Sequence, residues 1–386
     1  MIQYDKTELE NVFLVEEAHS LKNAGFLPKE QYNLILKELT SLKSQKNILI
    51  RIGFFLLGSF LYSSICGFLS LISLDTLGEN YNVLIYLFAI VGFVATEILT
   101  KQKYYSYGLD DSFLIGTQLC LAIAVGISTD GNELAIALTI TSTSLLSYLR
   151  YVHLSMALLF CLATTASLVY SIFELGDIGK TILPFVMMLF SVEIYFFSKM
   201  ILKDLKTSCY HKGVLLANSF GLLLFYLSGN YLVVRELTVA LLGAEITPNS
   251  DIPFAYFFYA FTFVVPAVYL VYSLLKKDRI MLWIGLAVLF FSIYSIRFYY
   301  AILSIETVLT IGSIVLFVLT YFSIKKLKEK ETGITFKPDR FTQENGFTNA
   351  EILIASQLGL KPETEVESPM EFGGGDFSGG GSQGSY

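Results

Sequence analysis

The feature that most constrains this chain is a succession of apolar runs, each close to the length of one bilayer crossing. A helix needs about 20 mostly apolar residues to span some 30 Å of hydrocarbon, and only helices and closed barrels satisfy their own backbone polar groups there. Ten such runs can be read, at 48–74, 82–100, 112–128, 133–149, 151–173, 180–199, 213–229, 253–275, 280–301 and 306–324. Polar turn sequences part them: Asp75 to Tyr81, Asp110-Asp111, Thr129 to Glu133, Glu174 to Lys180 and Thr247 to Asp251. Composition agrees, because 54% of residues are hydrophobic and only 16% charged, against roughly 25% charged in globular domains. The expected fold class is all-α, a polytopic transmembrane helical bundle of about ten spans.

Threading ten spans alternately puts both termini on one side, and the basic residues then test the count. Of 27 Lys and Arg, 24 fall on the side of the termini, and the other side keeps only Lys180, Arg235 and Arg297. One miscounted span would flip every later loop and destroy this segregation. Positive charge marks the cytoplasmic face, so both termini are expected in the cytoplasm and the protein in the plasma membrane of a bacterium. The tight turn at Tyr148–Tyr151 is the joint where one bent hairpin would change the count. The first 47 residues lack the early apolar stretch of a secretory signal, so the first run is expected to remain as an anchor.

Three regions follow: a cytoplasmic helical hairpin over 1–47, the transmembrane bundle over 48–324, and a cytoplasmic tail over 325–386. In the hairpin, Thr7-Glu8-Leu9-Glu10 reads as a capping box, Leu14, Ala18 and Leu21 fall at helical spacing, and Gly25 with Pro28 divides two helices. Tyr32, Ile35, Leu36, Leu39 and Leu42 form the stripe of the second helix. The tail opens on Lys325-Lys326-Leu327-Lys328, carries one short helix from the capping box Thr348-Asn349-Ala350-Glu351 to Gly359, and ends in a glycine-rich, disordered segment. The hairpin and residues 348–386 are the candidate contact points for a cytoplasmic protein partner.

Residues 18–61, with Gly25, Phe26, Leu27 and Gln31 in the pattern glycine, hydrophobic, three residues, glutamine, resemble the start of a bacterial multi-pass membrane family of unknown function. In that family a cytoplasmic helical hairpin precedes paired spans. No activity is assigned to it, so the resemblance implies no catalytic residues. Phe372 to Tyr386 is similar to the glycine-rich, aromatic-ended tails of membrane proteins bearing the TPM domain.

Ionisable groups at membrane depth are costly unless paired or wet, which makes them the first candidates for chemistry. Glu97 and Glu193 lie near the cytoplasmic edge, where both can snorkel, with Lys199 in reach of Glu193. On the outer side, Asn230 to Glu245 reads as a helix lying in or dipping into the interface, with Leu232, Arg235, Glu236 and Val239 at helical spacing. Arg235 and Glu236, with Arg297, Tyr299 and Tyr300 from a neighbouring edge, form the candidate ligand-binding set, an outward-facing pocket. Arg297 has Glu236 or Glu306 as its expected counter-ion.

Other signals point away from chemistry. His19, His153 and His211 are far apart with no acidic or histidine companion at ligand spacing, the four cysteines are scattered, and no phosphate-binding loop or HExxH is present. No catalytic residue, metal site or cofactor is therefore expected. Ala135, Thr139, Thr143 and Ser147 form a small-residue stripe, for packing or, alternatively, an ion path. A net charge of −6 gives no support to nucleic-acid binding. The expected role is a non-enzymatic membrane component with the lipid bilayer around it and cytoplasmic interaction elements. A secondary transporter of a small solute is the alternative, and an intramembrane enzyme the third reading.

Overall fold

The computed structural model describes residues 2–23, 25–45, 47–77, 81–204, 209–242, 252–276 and 278–299, with scattered positions between 310 and 325. Two helices, α1 (Lys6–Asn23) and α2 (Lys29–Glu38), precede the bundle. They are followed by α3 (Ile48–Leu77), α4 (Tyr81–Lys101), α5 (Leu109–Ser128), α6 (Glu133–Tyr151) and α7 (Leu154–Phe173). Then come α8 (Gly176–Asp204), α9 (His211–Gly229), the short α10 (Tyr231–Leu242), α11 (Ala255–Lys276) and α12 (Arg279–Tyr299). Among the described residues there is no strand, only a single bridge between Lys43 and Tyr104.

Seven of these helices, α3, α4, α5, α7, α8, α9 and α11, are long and apolar enough to cross a membrane. The runs expected at 133–149 and 280–301 are helices too, α6 and α12, though outside those seven. The tenth run, 306–324, and the tail helix with its glycine-rich end lie largely or wholly outside the described residues. Lipid surroundings explain the surface. Phe60 is 73% exposed and Trp283 72%, on helices whose serine and threonine hydroxyls bond back to the carbonyl four residues earlier, as at Ser64, Thr96 and Thr165. Such back-bonding keeps polar atoms satisfied where water is absent.

Successive helices pack as antiparallel neighbours, α4 on α5, α6 on α7, α8 on α9 and α11 on α12. Glycines set the closest approaches. A Cβ at Gly92 would meet Thr117 and Tyr62, and one at Gly213 would meet the Tyr148 hydroxyl. The α5–α6 seam is polar: Thr143 donates to Gln118 Oε1 at 2.7 Å, and Gln118 Nε2 donates to Ser147 at 3.1 Å. Two members of the small-residue stripe thus clasp a buried glutamine that the sequence reading passed over.

Pro266 inside α11 has no N–H for the Thr262 carbonyl four residues earlier. The Ser292 Oγ of α12 lies 2.7 Å from that carbonyl and 2.8 Å from the Val288 carbonyl of its own helix, two acceptors that share its one hydrogen, and 2.7 Å from the Tyr226 hydroxyl. The set extends to Asn230, whose amide donates to Tyr226 and Ser295 at 2.8 and 3.0 Å.

The alternation gathers one set of termini at a single end: the starts of α3, α5, α7 and α9 and the ends of α4, α6 and α8. α1 covers part of that end. Tyr4, Leu9 and Val12 share one buried cluster with Tyr105, Tyr148, Tyr151, Val152, Met156 and Cys209. Burying side chains such as Leu9, which has no exposed surface, contributes about 1.5–3 kcal/mol each. The chain after α2 is pinned as well, with Lys43 N–H donating to the Lys103 carbonyl at 2.8 Å and Tyr105 N–H to the Lys43 carbonyl at 3.1 Å.

Several local expectations change here. Asp5, not Thr7, caps α1, accepting from the N–H groups of Thr7 and Glu8. The buried face of α1 is Leu9, Val12, Val15 and Ala18 while Leu14 is 54% exposed, because apolar residues lie all round this helix and spacing alone could not choose a face. α2 ends at Glu38, so Leu39 and Leu42 lie beyond it. Leu42 is buried all the same, in the cluster beneath α1.

Candidate functional site

At the capped end four charged side chains converge from two helices and a turn. α5 begins after Gly108, at φ +108°, where a Cβ would strike the Arg51 carbonyl at 2.2 Å. Asp110 and Asp111 fill the first turn of α5, where the helix field favours negative charge. Both are buried, 1% and 5% exposed. Asp110 Oδ1 accepts the N–H groups of Tyr107 and Gly108 at 3.0 and 2.9 Å. Asp111 Oδ2 accepts Arg51 Nε of α3 at 3.0 Å and its Nη2 at 2.5 Å.

His153 comes from the two-residue turn between α6 and α7. Val152 closes α6 at φ +57°, a left-handed conformation that opposes a β-branched residue by roughly 1–2 kcal/mol. The Tyr105 hydroxyl donates to the Val152 carbonyl at 3.2 Å, helping to hold the turn. The turn drives His153 inward until 2% of it is exposed. Nδ1 lies 2.9 Å from Asp111 Oδ1, and Nε2 lies 3.4 Å from Asp110 Oδ2 and 3.5 Å from the Tyr4 hydroxyl.

The hydrogen bonds and charges around the ring favour its protonated form. The Tyr4 hydroxyl gives its one hydrogen to the Tyr104 carbonyl at 2.7 Å, so toward Nε2 it can only accept. Ionised carboxylates are acceptors alone. Both imidazole nitrogens therefore face acceptors, the arrangement of an imidazolium. Burial works to lower the His153 pKa, but the Asp111 hydrogen bond and the charges of Asp110 and Asp111 outweigh it, and the net shift is upward. With His153 protonated the set is neutral, two carboxylates against a guanidinium and an imidazolium. Asp110 Oδ2 has no hydrogen bond of its own and depends on this charge.

A second ion pair lies nearby. Arg150 at the end of α6 grips Glu97 of α4 bidentately at 2.6 and 2.9 Å, and the Tyr151 hydroxyl adds a 2.5 Å bond. The cap is tied over both sets: Gln3 N–H donates to the Arg150 carbonyl at 3.0 Å, Lys103 pairs with Glu8, and Lys212 pairs with Glu16. A cavity of about 500 Å3 remains between α1, the 44–45 segment and the starts of α3, α7 and α9, with Arg51, Glu16, Lys212 and Ser155 on its walls.

Chemically, the cluster can hold a proton in a site closed to water and couple it to the seating of the cap. Among the described residues no three of His, Cys, Asp or Glu are disposed to hold a metal ion. His153 does have acidic partners in space, 42 and 43 residues earlier, which spacing along one helix or loop gives no hint of. Glu97 does not snorkel alone but pairs with Arg150. Lys199 turns to Tyr195 at 2.7 Å and not to Glu193. A signal was nonetheless present, since alternate threading had already put Arg51, Glu97, Arg150 and the start of α5 at one edge.

The described members of the outer-side set, Arg235, Glu236, Arg297 and Tyr299, lie at the opposite end. Arg235 on α10 is half-exposed and donates to the Tyr231 hydroxyl at 2.7 Å. Glu236 is exposed on the same helix, and Arg297 is half-exposed in the last turn of α12. No ion pair joins Arg297 to Glu236 among the described residues. Tyr299 is the last residue of α12, and Tyr300 and Glu306 lie outside the described residues. A small cavity of about 40 Å3 beside α10 is lined by Val234, Thr238, Lys180 and Phe254, among others, and by none of that set. The buried face of α10 carries Tyr231 and Val234; of the sequence stripe, Glu236 and Val239 are exposed and Leu232 and Arg235 half-buried. No family model, curated protein or solved structure matches this chain.

Proposed function

We propose that this chain is a non-enzymatic component of a bacterial inner membrane, crossing it ten times with both termini in the cytoplasm, whose capped end presents a docking face to a cytoplasmic protein. One observation carries the reading: α1 is packed and ion-paired onto the bundle, whereas Phe26 in the turn after it and Leu34 and Leu36 of α2 are exposed at 67%, 58% and 43%. Exposed apolar side chains on a short element held up by a fixed support suit a partner helix or groove. The tail over 348–386 belongs to the same proposal as a second contact. So does membership of the multi-pass family whose N-terminal pattern the chain resembles.

The orientation is supported by Arg51, Lys101, Lys103, Arg150, Lys199 and Lys212 at the capped end, against Lys180, Arg235 and Arg297 at the other. Cysteines placed at Gln102 and Asp130 test it. A membrane-impermeant maleimide added to intact cells should label the second and reach the first only after permeabilisation, and the reverse pattern ends the proposal. The docking face is tested by in-cell photocrosslinking from position 34. A defined adduct that disappears with Phe26→Ser and Leu36→Ser supports it, and no adduct at all refutes it.

A solute transporter is the second reading, favoured by the enclosed proton site at Asp110, Asp111 and His153, since ionisable groups among spans often serve proton relays. In proteoliposomes it requires a proton-coupled flux that His153→Gln abolishes.

A further inference from the structure

The second half of the bundle holds a cleft of about 360 Å3 that the charge cluster does not touch. α8 and α11 meet toward the far end, where the Phe185 ring lies 5.8 Å from those of Phe257 and Phe258. Nearer the capped end the cleft opens between them, with α9 as its floor. Its walls are apolar, with Phe196, Leu222 and Val268 among them, and Lys199, Tyr195 and Tyr272 stand at the capped end. Phe196 and Val268 are 64% and 53% exposed, so the cleft faces sideways into whatever surrounds the bundle.

Lys199 is unusual among the cations of this chain. Its Nζ donates to the Tyr195 hydroxyl at 2.7 Å and lies 4.9 and 5.6 Å from the ring centres of Tyr195 and Tyr272. No carboxylate stands within ion-pair distance of it among the described residues. An ammonium has three donors, and one is used. Because Lys199 donates into the Tyr195 oxygen, that phenol keeps its own hydrogen to give, and no acceptor within the described residues takes the Tyr272 hydrogen either. Lys199 is five residues from the end of α8, about 7.5 Å along the axis, at the edge where the apolar run over 180–199 stops.

We propose that this cleft binds one anionic phospholipid, with an acyl chain between α8 and α11 and the phosphate on Lys199, Tyr195 and Tyr272. An open apolar cleft within a bilayer forfeits dispersion contacts unless a chain fills it. The uncompensated cation and free phenol donors then select the headgroup, as basic pockets between spans do. The site is independent of the docking face on α2, so either can fail alone.

Native mass spectrometry of the full chain tests this, with phosphatidylglycerol and phosphatidylcholine of identical acyl chains in competition. The expected result is one retained phosphatidylglycerol, favoured by about fivefold, the factor equivalent to ~1 kcal/mol for one basic residue at a lipid surface. Lys199→Gln should bring the ratio near unity, Lys199→Arg should keep it, and Lys276→Gln at the same end should leave it unchanged. Val268→Trp, which fills the cleft and keeps the lysine, should lower occupancy and serves if Lys199→Gln does not assemble. Equal selectivity in wild type and Lys199→Gln overturns the proposal. So does full occupancy with Val268→Trp, or displacement of the lipid by millimolar glycerol 3-phosphate, which would mark a site for the free anion.

Discussion

His153→Gln is the most informative single change at the capped end. Glutamine fills similar space and can hydrogen-bond, but it carries no charge, so Asp110 and Asp111 would share Arg51 alone. Asp110 Oδ2, which has no hydrogen bond of its own, would lose the imidazolium charge 3.4 Å away. Leaving a buried charge without its partner costs about 3–5 kcal/mol. The wild type should also show a distinctive pH dependence. The folded pKa of His153 is raised above its ordinary value of 6.5, so the folded state holds the proton more tightly than the unfolded state. Its contribution is complete below about pH 6.5 and is lost as the pH rises through the folded value.

The assay is thermal unfolding in a mild detergent across neutral and alkaline pH, for wild type, His153→Gln, and His153→Gln with Asp110→Asn. The wild type should lose stability as pH rises, and the single variant should be weaker with that slope much reduced. The double variant should recover part of the loss, because Arg51 and Asp111 then balance. Contacting groups couple by about 0.5–3 kcal/mol in such cycles. A flat wild-type profile, or an unchanged slope in His153→Gln, would refute the imidazolium assignment.

Three further outcomes can be measured the same way. Arg150→Met should destabilise by about 1–3 kcal/mol through the half-buried Glu97 it strands, and adding Glu97→Gln should cost less than the sum of the single changes. Val152→Ala gives up about 1.6 kcal/mol of buried methyl groups and keeps the left-handed strain. Val152→Gly gives up more packing but relieves that strain, so it should be at least as stable as the alanine variant, and a clearly less stable glycine variant would contradict the strain argument. Ser292→Ala should cost about 1–3 kcal/mol, much of it recovered with Pro266→Ala, since the restored N–H then reaches the Thr262 carbonyl. Simple additivity of the two would show that the Ser292 hydroxyl is not serving that carbonyl.

What the linear order of residues determined is what depends on neighbours a few positions away. The apolar runs marked where helices form because bilayer thickness and backbone satisfaction act on about 20 consecutive residues at a time. The same threading grouped Arg51, Glu97, Arg150 and the start of α5 at one edge before any contact was known. Tertiary structure alone decided who meets whom there. Asp111 and His153 are far apart in sequence, and their 2.9 Å approach depends on how α3, α5 and α7 are rotated and on a valine held in a left-handed turn. Gln118 between Thr143 and Ser147, and Ser292 beneath the carbonyl freed by Pro266, belong to the same class. Hydropathy reports how greasy a face is over a whole turn, whereas a hydrogen bond is made or lost within a few tenths of an ångström, and only packing operates at that scale.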